Sequence, residues 1–439
     1  MEQISIIQQN NESSFGLLKV HVLSAFSQRP VADAHIQVFP EKDSGSTLTG
    51  NDSRNAAAEN HFTGVLAEVS TDISGQTESL RLPAPPVSYS LEPGEPRPYA
   101  RYQLMVTAEG YEPLTIDGLE ILAETESLQT VALRPLDSTH YPFDPIIITD
   151  NTLYGDFPAK ISESETKELA EGGEIVLSRV VVPETIVVHD GVPSDRTAQD
   201  FFVPYRDYIK NVACSEIYAT WNPAAIRANV LVILSFTLNR VYTEWYRNKG
   251  YDFTITSSTA YDQKWTYGQN IFQSISDIVD ELFTAYLSRP NVKQPILTQY
   301  CDGRRVSCPN WLSQWGSQSL AESGYSAIQI LRYYYGESLY INTAEEISGI
   351  PYSWPGSDLT VGSTGQKVMQ LQEQLNTIAG AYPAIPTITV DGIYGSATQN
   401  AVRTFQSVFG LPATGVTDYS TWFKISQIFV GVSGIAELV

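Results

Sequence analysis

The sequence contains few of the residues from which metal sites and disulfide frameworks are built. Only three of its 439 residues are cysteines and five are histidines, and every histidine precedes the first cysteine. No Cys/His grouping has the spacing of a zinc site, and three cysteines cannot form a disulfide framework. Cys301 and Cys308 are close enough to bridge, but we expect two free thiols in a loop. These absences predict a protein with no structural metal and no cofactor.

Basic residues, long apolar runs and targeting signals are also scarce. The 27 Lys and Arg residues face 49 Asp and Glu residues, and the net charge of -22 repels nucleic-acid phosphates and anionic membranes. The longest apolar run, residues 230–238, lies between Arg227 and Arg240 and is too short to span a bilayer. The first 14 residues lack the basic start and apolar core of a secretory signal. We therefore expect a soluble protein, made without a Sec signal peptide, with no nucleic-acid partner and no membrane insertion.

The chain does contain enough apolar side chains for several packed domains, and its length predicts about three. Apolar and polar residues alternate over 17–39, which predicts a β-hairpin, and again over 101–135, which predicts three or four strands. We therefore predict one β-sandwich over residues 15–136. Its Pro30-Val31 and Gly110-Tyr111 pairs resemble those of the carboxypeptidase-regulatory-like sandwiches. That resemblance implies a module without catalytic activity.

An acidic, polar stretch follows the β-rich region. Residues 162–174 read SESETKELAEGGE, and exposed polar segments of this kind are where proteases cut. A β-like run of residues resumes at Val180, so we predict a processing site at Ser178, Arg179 and Val180. The whole segment from 137 to 181 is predicted to be a linker.

The next region is dense in aromatic residues and contains the most helical stretch of the chain, residues 222–247. Asn222 is a favourable N-cap, and Pro223 suits the first turn, so the helix is predicted to begin there. Apolar residues cover nearly every face between 226 and 238, which indicates a buried central helix.

The last part of the chain contains two amphipathic helix patterns, over residues 362–378 and 396–410. They lie in the motifs G-S-x-G-x-x-V-x-x-L-Q-x-x-L and D-G-I-Y-G-x-x-T-x-x-A-V-x-x-F-Q. These motifs resemble the peptidoglycan-binding-domain-1 family, a three-helix module that holds the cell-wall polymer. The resemblance implies a three-helix bundle over 355–430, with Asp391 and Tyr394 among the ligand-binding residues.

Carboxylates are the remaining candidates for chemistry, because Gly-x-Ser-x-Gly and His-Glu-x-x-His motifs are absent. Glu216 stands out, since apolar and aromatic neighbours such as Tyr218 and Trp221 raise a carboxyl pKa, as a general acid requires. The start of the predicted helix at 222 acts in the opposite direction, because its partial positive charge favours the carboxylate. The sequence leaves open which influence is larger. A lone glutamate at a helix end is also commonly a solvated or capping residue.

Two stretches carry a second family resemblance. YIKNVACSEIYATWNPAAIRAN (208–229) and LSQWGSQSLAESGYSAIQILRYYYG (312–336) resemble the motifs of the stage II sporulation protein D family (SpoIID/LytB). Members of that family cleave peptidoglycan glycan strands as lytic transglycosylases, and the glutamate of the first motif is their catalytic acid. The resemblance implies that Glu216 is catalytic. It also implies that the substrate is contacted by Trp221, Gln263, Gln314 and Trp315.

Two departures from the family pattern affect what the resemblance implies. Some members bind zinc with a His/Cys group, but residues 251–268 contain neither residue type, so we expect no metal. The arginine that members carry within the helix is also lost at residues 233–236, which read Ile-Leu-Ser-Phe. Glu216, Trp221 and the Gln-Trp-Gly sequence at 314–316 are retained, so activity is still expected.

The predicted fold is a multidomain α+β chain. Its parts are a tail (1–14), a β-sandwich pro-region (15–136), an acidic linker with the processing site (137–181), a SpoIID-like mixed α+β catalytic domain (182–350) and a three-helix peptidoglycan-binding bundle (355–430). This order resembles that of spore cortex-lytic enzymes, which are stored as inactive proforms and cleaved by subtilisin-like proteases at germination. The resemblance implies a spore protein whose partners are cortex peptidoglycan and such a protease.

Two other functions remain open from the sequence. A hydrolytic muramidase would need a second carboxylate beside Glu216, and Asp252 and Asp262 are the nearest candidates in the sequence. Each of the two is a turn residue by its neighbours. The other alternative is a non-catalytic protein that binds or structures the wall, or that modifies an amidase.

Overall fold

The computed structural model describes residues 14–25, 27–41, 64–94, 96–136, 145–163, 177–344, 346–347, 355 and 357–433. Most of the predicted tail and most of the acidic stretch at 162–174 lie outside these residues. The strands are β1 Ser14–Ser24, β2 His35–Pro40, β3 Ala67–Ser70, β4 Leu80–Ala84, β5 Ala100–Thr107, β6 Leu114–Ile121, β7 Glu126–Leu133, β8 Ile146–Ile147, β9 Val181–Val182, β10 Thr185–His189, β11 Asp200–Pro204, β12 Ile255–Thr256, β13 Ile271–Phe272, β14 Ala285–Ser288, β15 Tyr300–Cys301, β16 Leu312–Ser313, β17 Tyr340–Thr343 and β18 Glu346–Ile347. The helices are α1 Ser88–Leu91, α2 Tyr205–Glu216, α3 Pro223–Tyr242, α4 Gln273–Leu282, α5 Gln314–Glu322, α6 Ala327–Tyr335, α7 Gln366–Ala379, α8 Ser396–Val408 and α9 Tyr419–Ser433.

Two sheets in the N-terminal third face each other across one apolar core. One has the strand order β3-β2-β5-β6-β8 and the other β13-β7-β1-β4. Every second residue of β1 is buried, including Leu18, Val20 and Val22, and these side chains meet Ile36 of β2 and Leu104 of β5. This period of two is the one that the sequence predicts for strands with one buried face.

The hairpin predicted for residues 17–39 is wrong, because β1 and β2 lie in different sheets. β1 pairs with β4 and with β7, whereas β2 pairs with β3 and β5. Across the turn, Leu23 and Pro30 form an isolated bridge. Alternation identifies the buried face of a strand but not its partner, and this explains the error.

The second sheet includes a strand from the central region of the chain. β13 pairs antiparallel with β7, with Ile271 opposite Leu128 and Phe272 opposite Ser127. The side chain of Asn270 adds two bonds to the backbone of Glu120, accepting at 3.0 Å and donating at 2.9 Å. The N-terminal sheets and the central region are therefore joined by a continuous β-ladder.

The central helix α3 begins where the sequence predicts. The Asn222 side chain accepts a hydrogen bond from the N–H of Ala224 at 3.0 Å, and Pro223 is the first helical residue. The helix ends at Tyr242, before the predicted end at 247, and a 3₁₀ turn follows at Arg247–Lys249. α3 is long and apolar enough to cross a membrane, but 83% of its most apolar window is buried inside the protein. That is the environment of a core helix.

Part of the predicted linker is packed against the rest of the chain. Ile146 and Ile147 form β8 on the edge of the first sheet, and Ile148 is fully buried in the core of the sheets. Leu153 is only 6% exposed and belongs to the core of the central region. Residues 145–163 therefore differ from the exposed linker that the acidic composition of 162–174 predicts.

The three helices α7, α8 and α9 enclose their own apolar core, which contains Leu371, Phe405 and Trp422. The first two helices coincide with the amphipathic patterns of the sequence to within a few residues. α9 also contacts the central region, where the ring of Tyr419 stacks on Phe283 with centroids 5.6 Å apart.

Candidate active site

Glu216 is the last residue of α2 and is only 2% exposed. Ten of the twelve residues of α2 are buried, so the helix runs into the interior of the central region. Ile217 adopts an extended conformation and ends the helix. The chain therefore delivers the carboxyl group of Glu216 into the protein and not to its surface.

Both oxygens of the Glu216 carboxyl group accept hydrogen bonds. The backbone N–H of Lys264 donates to Oε1 at 2.7 Å, and the hydroxyl group of Tyr300 donates to Oε2. The side chain of Gln314 donates to the backbone carbonyl of Glu216 at 3.1 Å. These three donors fix the position of the carboxyl group and of the residue that carries it.

Burial raises the pKa of Glu216 above its ordinary value. The nearby Lys160 ammonium group acts in the opposite direction, and so do the hydrogen bonds from Tyr300 and from the N–H of Lys264. Burial outweighs these three influences on the pKa. A buried carboxyl group with a raised pKa can hold a proton near neutral pH and donate it.

A cavity of about 70 Å³ lies beside Glu216. The residues that line it are Thr152, Gly155, Phe157, Pro158, Lys160, Glu216, Thr259, Tyr300, Cys301, Asp302, Arg305, Val306 and Gln314. Cys301 and Cys308 are joined by a disulfide, with Cα atoms 5.8 Å apart. The expectation of two free thiols is therefore wrong, and the disulfide closes a loop that forms one wall of the cavity.

Of the residues predicted to contact substrate in the central region, Gln314 lines the cavity and three others lie in the core. The indole N–H of Trp221 donates to the Ser90 carbonyl at 2.9 Å, and the Trp221 ring packs on Trp315 with centroids 5.0 Å apart. Gln263 is fully buried, and its side-chain oxygen accepts from Tyr208 and Thr237. These three side chains are buried in this structure, and their contact with the glycan stays a prediction.

The two residues predicted to bind ligand in the C-terminal helices have different surroundings. Asp391 is exposed, and its carboxylate accepts from the N–H of Ile393 at 2.8 Å and from the side chain of Gln372 at 2.9 Å. Tyr394 is fully buried and donates to the Gly415 carbonyl at 3.0 Å. Tyr394 is thus part of the core, whereas Asp391 faces solvent, and ligand binding by either residue stays a prediction.

The predicted processing residues lie just before strand β9. Ser178 and Arg179 are exposed, whereas Val180 is buried. The guanidinium group of Arg179 forms an ion pair with Glu346 at 3.0 Å. A protease can reach Ser178 and Arg179, and cleavage at this point stays a prediction.

The sequence interpretation missed Tyr300, Lys160 and Lys264. The hydrogen bond from Tyr300 to Glu216 joins residues 84 positions apart, and Lys264 contributes through its backbone, so no local pattern indicates either contact. Lys160 lies in the predicted linker, where its charge is typical of an exposed segment. No pattern in the sequence indicates that Lys160 packs beside Glu216.

Hydrolysis would need a second carboxylate near Glu216. Asp262 is fully buried and already paired with Arg240 at 2.7 Å and with the hydroxyl of Tyr246 at 2.6 Å. Asp252 is exposed. Asp302, which the sequence interpretation did not consider, lines the same cavity as Glu216. Within the described ranges, no group of three His, Cys, Asp or Glu side chains could hold a metal ion.

Comparisons with known proteins relate the C-terminal part of the chain to the cell wall. Residues 364–425 match the family described as "Putative peptidoglycan binding domain". A zinc D-Ala-D-Ala carboxypeptidase of Streptomyces albus G is 42% identical over 78 residues, which are 18% of this chain and 29% of that enzyme. The SleB N-terminal domain is 32% identical, covering 16% of this chain and 92% of that domain, with a TM-score of 0.15. Catechol 1,2-dioxygenase from Pseudomonas arvilla C-1 is 15% identical, covering 30% of this chain and 56% of that enzyme, with a TM-score of 0.18.

The family match defines the class of protein that the last three helices represent, a peptidoglycan-binding module. The match covers the described core of α7, α8 and the first half of α9. The match relates this part of the chain to the cell wall. The chain spans less than a third of the curated relative, so the activity of the whole chain has to be argued from its own site.

Proposed function

We propose that the protein is a lytic transglycosylase that cleaves spore cortex peptidoglycan. The observation that carries this proposal is the buried carboxyl group of Glu216, whose pKa is raised and whose two oxygens face donors at Tyr300 and Lys264. The peptidoglycan-binding module at 364–425 supports the choice of substrate, because it would hold the polymer near this site. The assignment to the spore cortex rests on the resemblance of the chain's sequence and domain order to the clostridial spore cortex-lytic enzyme SleC.

One carboxyl group can perform both proton transfers of this reaction. Protonated Glu216 donates its proton to the glycosidic oxygen between muramic acid and glucosamine, and the bond from that oxygen to the anomeric carbon breaks. The carboxylate then takes the proton of the muramyl 6-hydroxyl, whose oxygen bonds to the anomeric carbon. The products are a free glucosamine hydroxyl and a 1,6-anhydromuramic end, and no water is consumed. The donors at Tyr300 and Lys264 stabilise the carboxylate between the two transfers.

We further propose that the chain is a proenzyme that a subtilisin-like protease activates during germination. Glu216 is almost completely buried in the intact chain, which supports a latent form. The residues up to 150 hold 21 Asp and Glu against 8 Lys and Arg, a net charge of -13. Removal of this part would reduce the repulsion between the enzyme and an anionic cortex.

The first prediction concerns Glu216→Gln, which keeps the shape of the side chain and removes its titrating group. Turnover by the protease-activated protein should fall by at least about 10², because proton transfer is lost. The measurement is mass spectrometry of digested cortex, with anhydromuramic ends as the readout. Glu184→Gln, at an exposed carboxyl group, is the matched control and should retain normal activity. Normal lysis by a folded Glu216→Gln protein contradicts the assignment.

A hydrolytic muramidase is the second candidate, and Asp302 is the observation in its favour. Its carboxyl group lines the cavity beside Glu216 and could hold a water or act as a nucleophile. In this structure it accepts from the N–H groups of Arg305 at 2.8 Å and Val306 at 3.0 Å, which gives it a role in the turn. The same mass spectrometry separates the two reactions, because hydrolysis leaves reducing ends. A non-catalytic wall protein would give neither product.

A further inference from the structure

Residues 151–163, which we call the strap, contribute several of the residues that line the cavity beside Glu216. At one end Thr152 donates from its backbone N–H to the Ser215 carbonyl at 3.0 Å and from its hydroxyl to the Glu216 carbonyl at 3.3 Å. At the other end the N–H of Ile161 donates to the Ala260 carbonyl at 2.7 Å. The strap is therefore hydrogen-bonded to the rest of the central region near each of its ends.

The strap places a cation against the group that binds Glu216. The ammonium group of Lys160 donates to the Asp262 carbonyl at 2.6 Å and lies 4.2 Å from the ring centroid of Tyr300. It also lies 4.9 Å from the ring centroid of Phe236. Tyr300 in turn donates its hydroxyl to the Glu216 carboxyl group. Burial lowers the pKa of Lys160 to about 8, so the amine is still mostly protonated near pH 7.

With the strap in place, the cavity is too small for the proposed substrate. It has a volume of about 70 Å³, whereas pockets for organic ligands have about 300 to 1,000 Å³. Five of its thirteen lining residues belong to the strap, namely Thr152, Gly155, Phe157, Pro158 and Lys160. These five residues therefore take up space beside Glu216 that a sugar ring would need.

The β-sheets of the N-terminal third hold the beginning of the strap. Ile148, three residues before it, is fully buried in their core. Between Ile148 and the strap, Thr149 accepts a hydrogen bond from the ammonium group of Lys264 at 2.8 Å. The position of the strap thus depends on the sheets, although the sheets themselves do not line the cavity.

We propose that the strap is the inhibitory element of the intact chain and that Lys160 occupies the place of the sugar at the cleaved bond. The Lys160 ammonium group then stands where the oxocarbenium-like carbon of the substrate develops its positive charge. This inference rests on the proposed function and adds the means of its regulation. The sheets are the anchor of the strap and do not themselves block the site.

The test is Lys160→Glu in the full-length, uncleaved chain, which places a carboxylate next to Glu216 and expels the strap. Lys293→Glu, at an exposed residue, is the matched control with the same change of charge. Uncleaved Lys160→Glu should lyse cortex at least about tenfold faster than the uncleaved parent, because each 1.4 kcal/mol lost from the closed form changes the equilibrium tenfold. Amide hydrogen exchange of residues 151–163 should increase in Lys160→Glu and not in Lys293→Glu.

The outcomes separate this inference from the proposed function. If the protease-activated parent lyses cortex but the uncleaved Lys160→Glu chain stays as latent as the parent, the strap proposal is overturned. Slower lysis by activated Lys160→Glu than by the activated parent also overturns it, because Lys160 would then assist the reaction. If the activated parent yields no product, the proposed function fails. Hydrogen exchange still decides whether Lys160 holds the strap, and Phe157→Ala provides a second variant for that measurement.

Discussion

The carboxyl group of Glu216 is subject to opposing influences, and the hydroxyl group of Tyr300 is one that a single substitution can remove. Burial favours the protonated form, whereas the donors around the group favour the carboxylate. A residue that acts first as an acid and then as a base needs both forms within reach at the working pH. Tyr300 is a positioning residue in this arrangement, because it acts through Glu216.

Tyr300→Phe should slow the protease-activated enzyme and shift its pH profile. Hydrogen bonds to charged groups contribute about 1.5 to 3 kcal/mol, so the rate should fall roughly 10-fold to 100-fold. The bond from Tyr300 lowers the pKa of Glu216, so its loss raises that pKa. The protonated form of Glu216 then persists to higher pH, so the alkaline limb of the kcat/KM profile should shift to higher pH. Tyr340→Phe, on an exposed ring, is the control, and an unchanged alkaline limb in Tyr300→Phe contradicts the role.

Residue identities in the site were predictable only where a motif contains them. Glu216 and Gln314 lie in the two stretches that resemble a family, and both are at the cavity. Tyr300 and Lys160 come to the same place through tertiary packing, across 84 and 56 positions of sequence from Glu216. Contacts over such distances leave no periodic signal along the chain.

Among the elements, the loop closed by the disulfide forms one wall of the cavity. Cys301 lies on β15, and residues 302–306 follow it before the chain returns to Cys308. The N–H groups of Arg305 and Val306 donate to Asp302, which makes the loop a compact turn. The disulfide therefore stabilises one wall of the site.

Replacing both cysteines, Cys301→Ser with Cys308→Ser, should lower the stability of the protein. Chain entropy for a loop of this length predicts a loss of about 2 to 3 kcal/mol, seen as a lower Tm in calorimetry. Lysis by the activated enzyme should also decrease, because the cavity wall becomes mobile. Dithiothreitol should lower the Tm of the parent protein and leave that of the double variant unchanged. Equal Tm values for the parent and the double variant contradict a stabilising disulfide.

Elements were predicted best where the local sequence carries the whole signal. The start of α3 follows from Asn222 and Pro223, and the positions of α7 and α8 follow from their apolar spacing. The partner of β1 did not follow, because pairing with β7 brings together residues more than a hundred positions apart. The strap was missed for a related reason, since its sequence has no regular apolar period and its contacts are with residues distant in the sequence.

At the scale of the whole molecule, the N-terminal sheets and the central region share both a β-ladder and a core. β13 pairs with β7, and Tyr99 and Leu122 from the N-terminal part are each 1% exposed within the core of the central region. The indole N–H of Trp221 donates across the same boundary to the Ser90 carbonyl. Separation of the two parts would expose apolar surface and break these hydrogen bonds.

Cleavage of the chain should therefore leave the two fragments associated. A specific protease site is placed within residues 164–176. Cleavage at this site should give two bands on a denaturing gel. Size-exclusion chromatography at micromolar concentration should give a single peak with the elution volume of the intact protein. The same insertion without protease treatment is the control. Two separate peaks at this concentration contradict a stable interface.

The ladder between β7 and β13 has a further consequence once the chain is cut. In the intact chain the two parts belong to one molecule, so their contact does not depend on the protein concentration. After cleavage their contact becomes a bimolecular equilibrium that depends on how much of the protein is present. Cut protein in a densely filled compartment would keep its parts together, whereas dilution would let them separate. Opening of the site would then require both cleavage by the protease and enough volume for the two parts to separate.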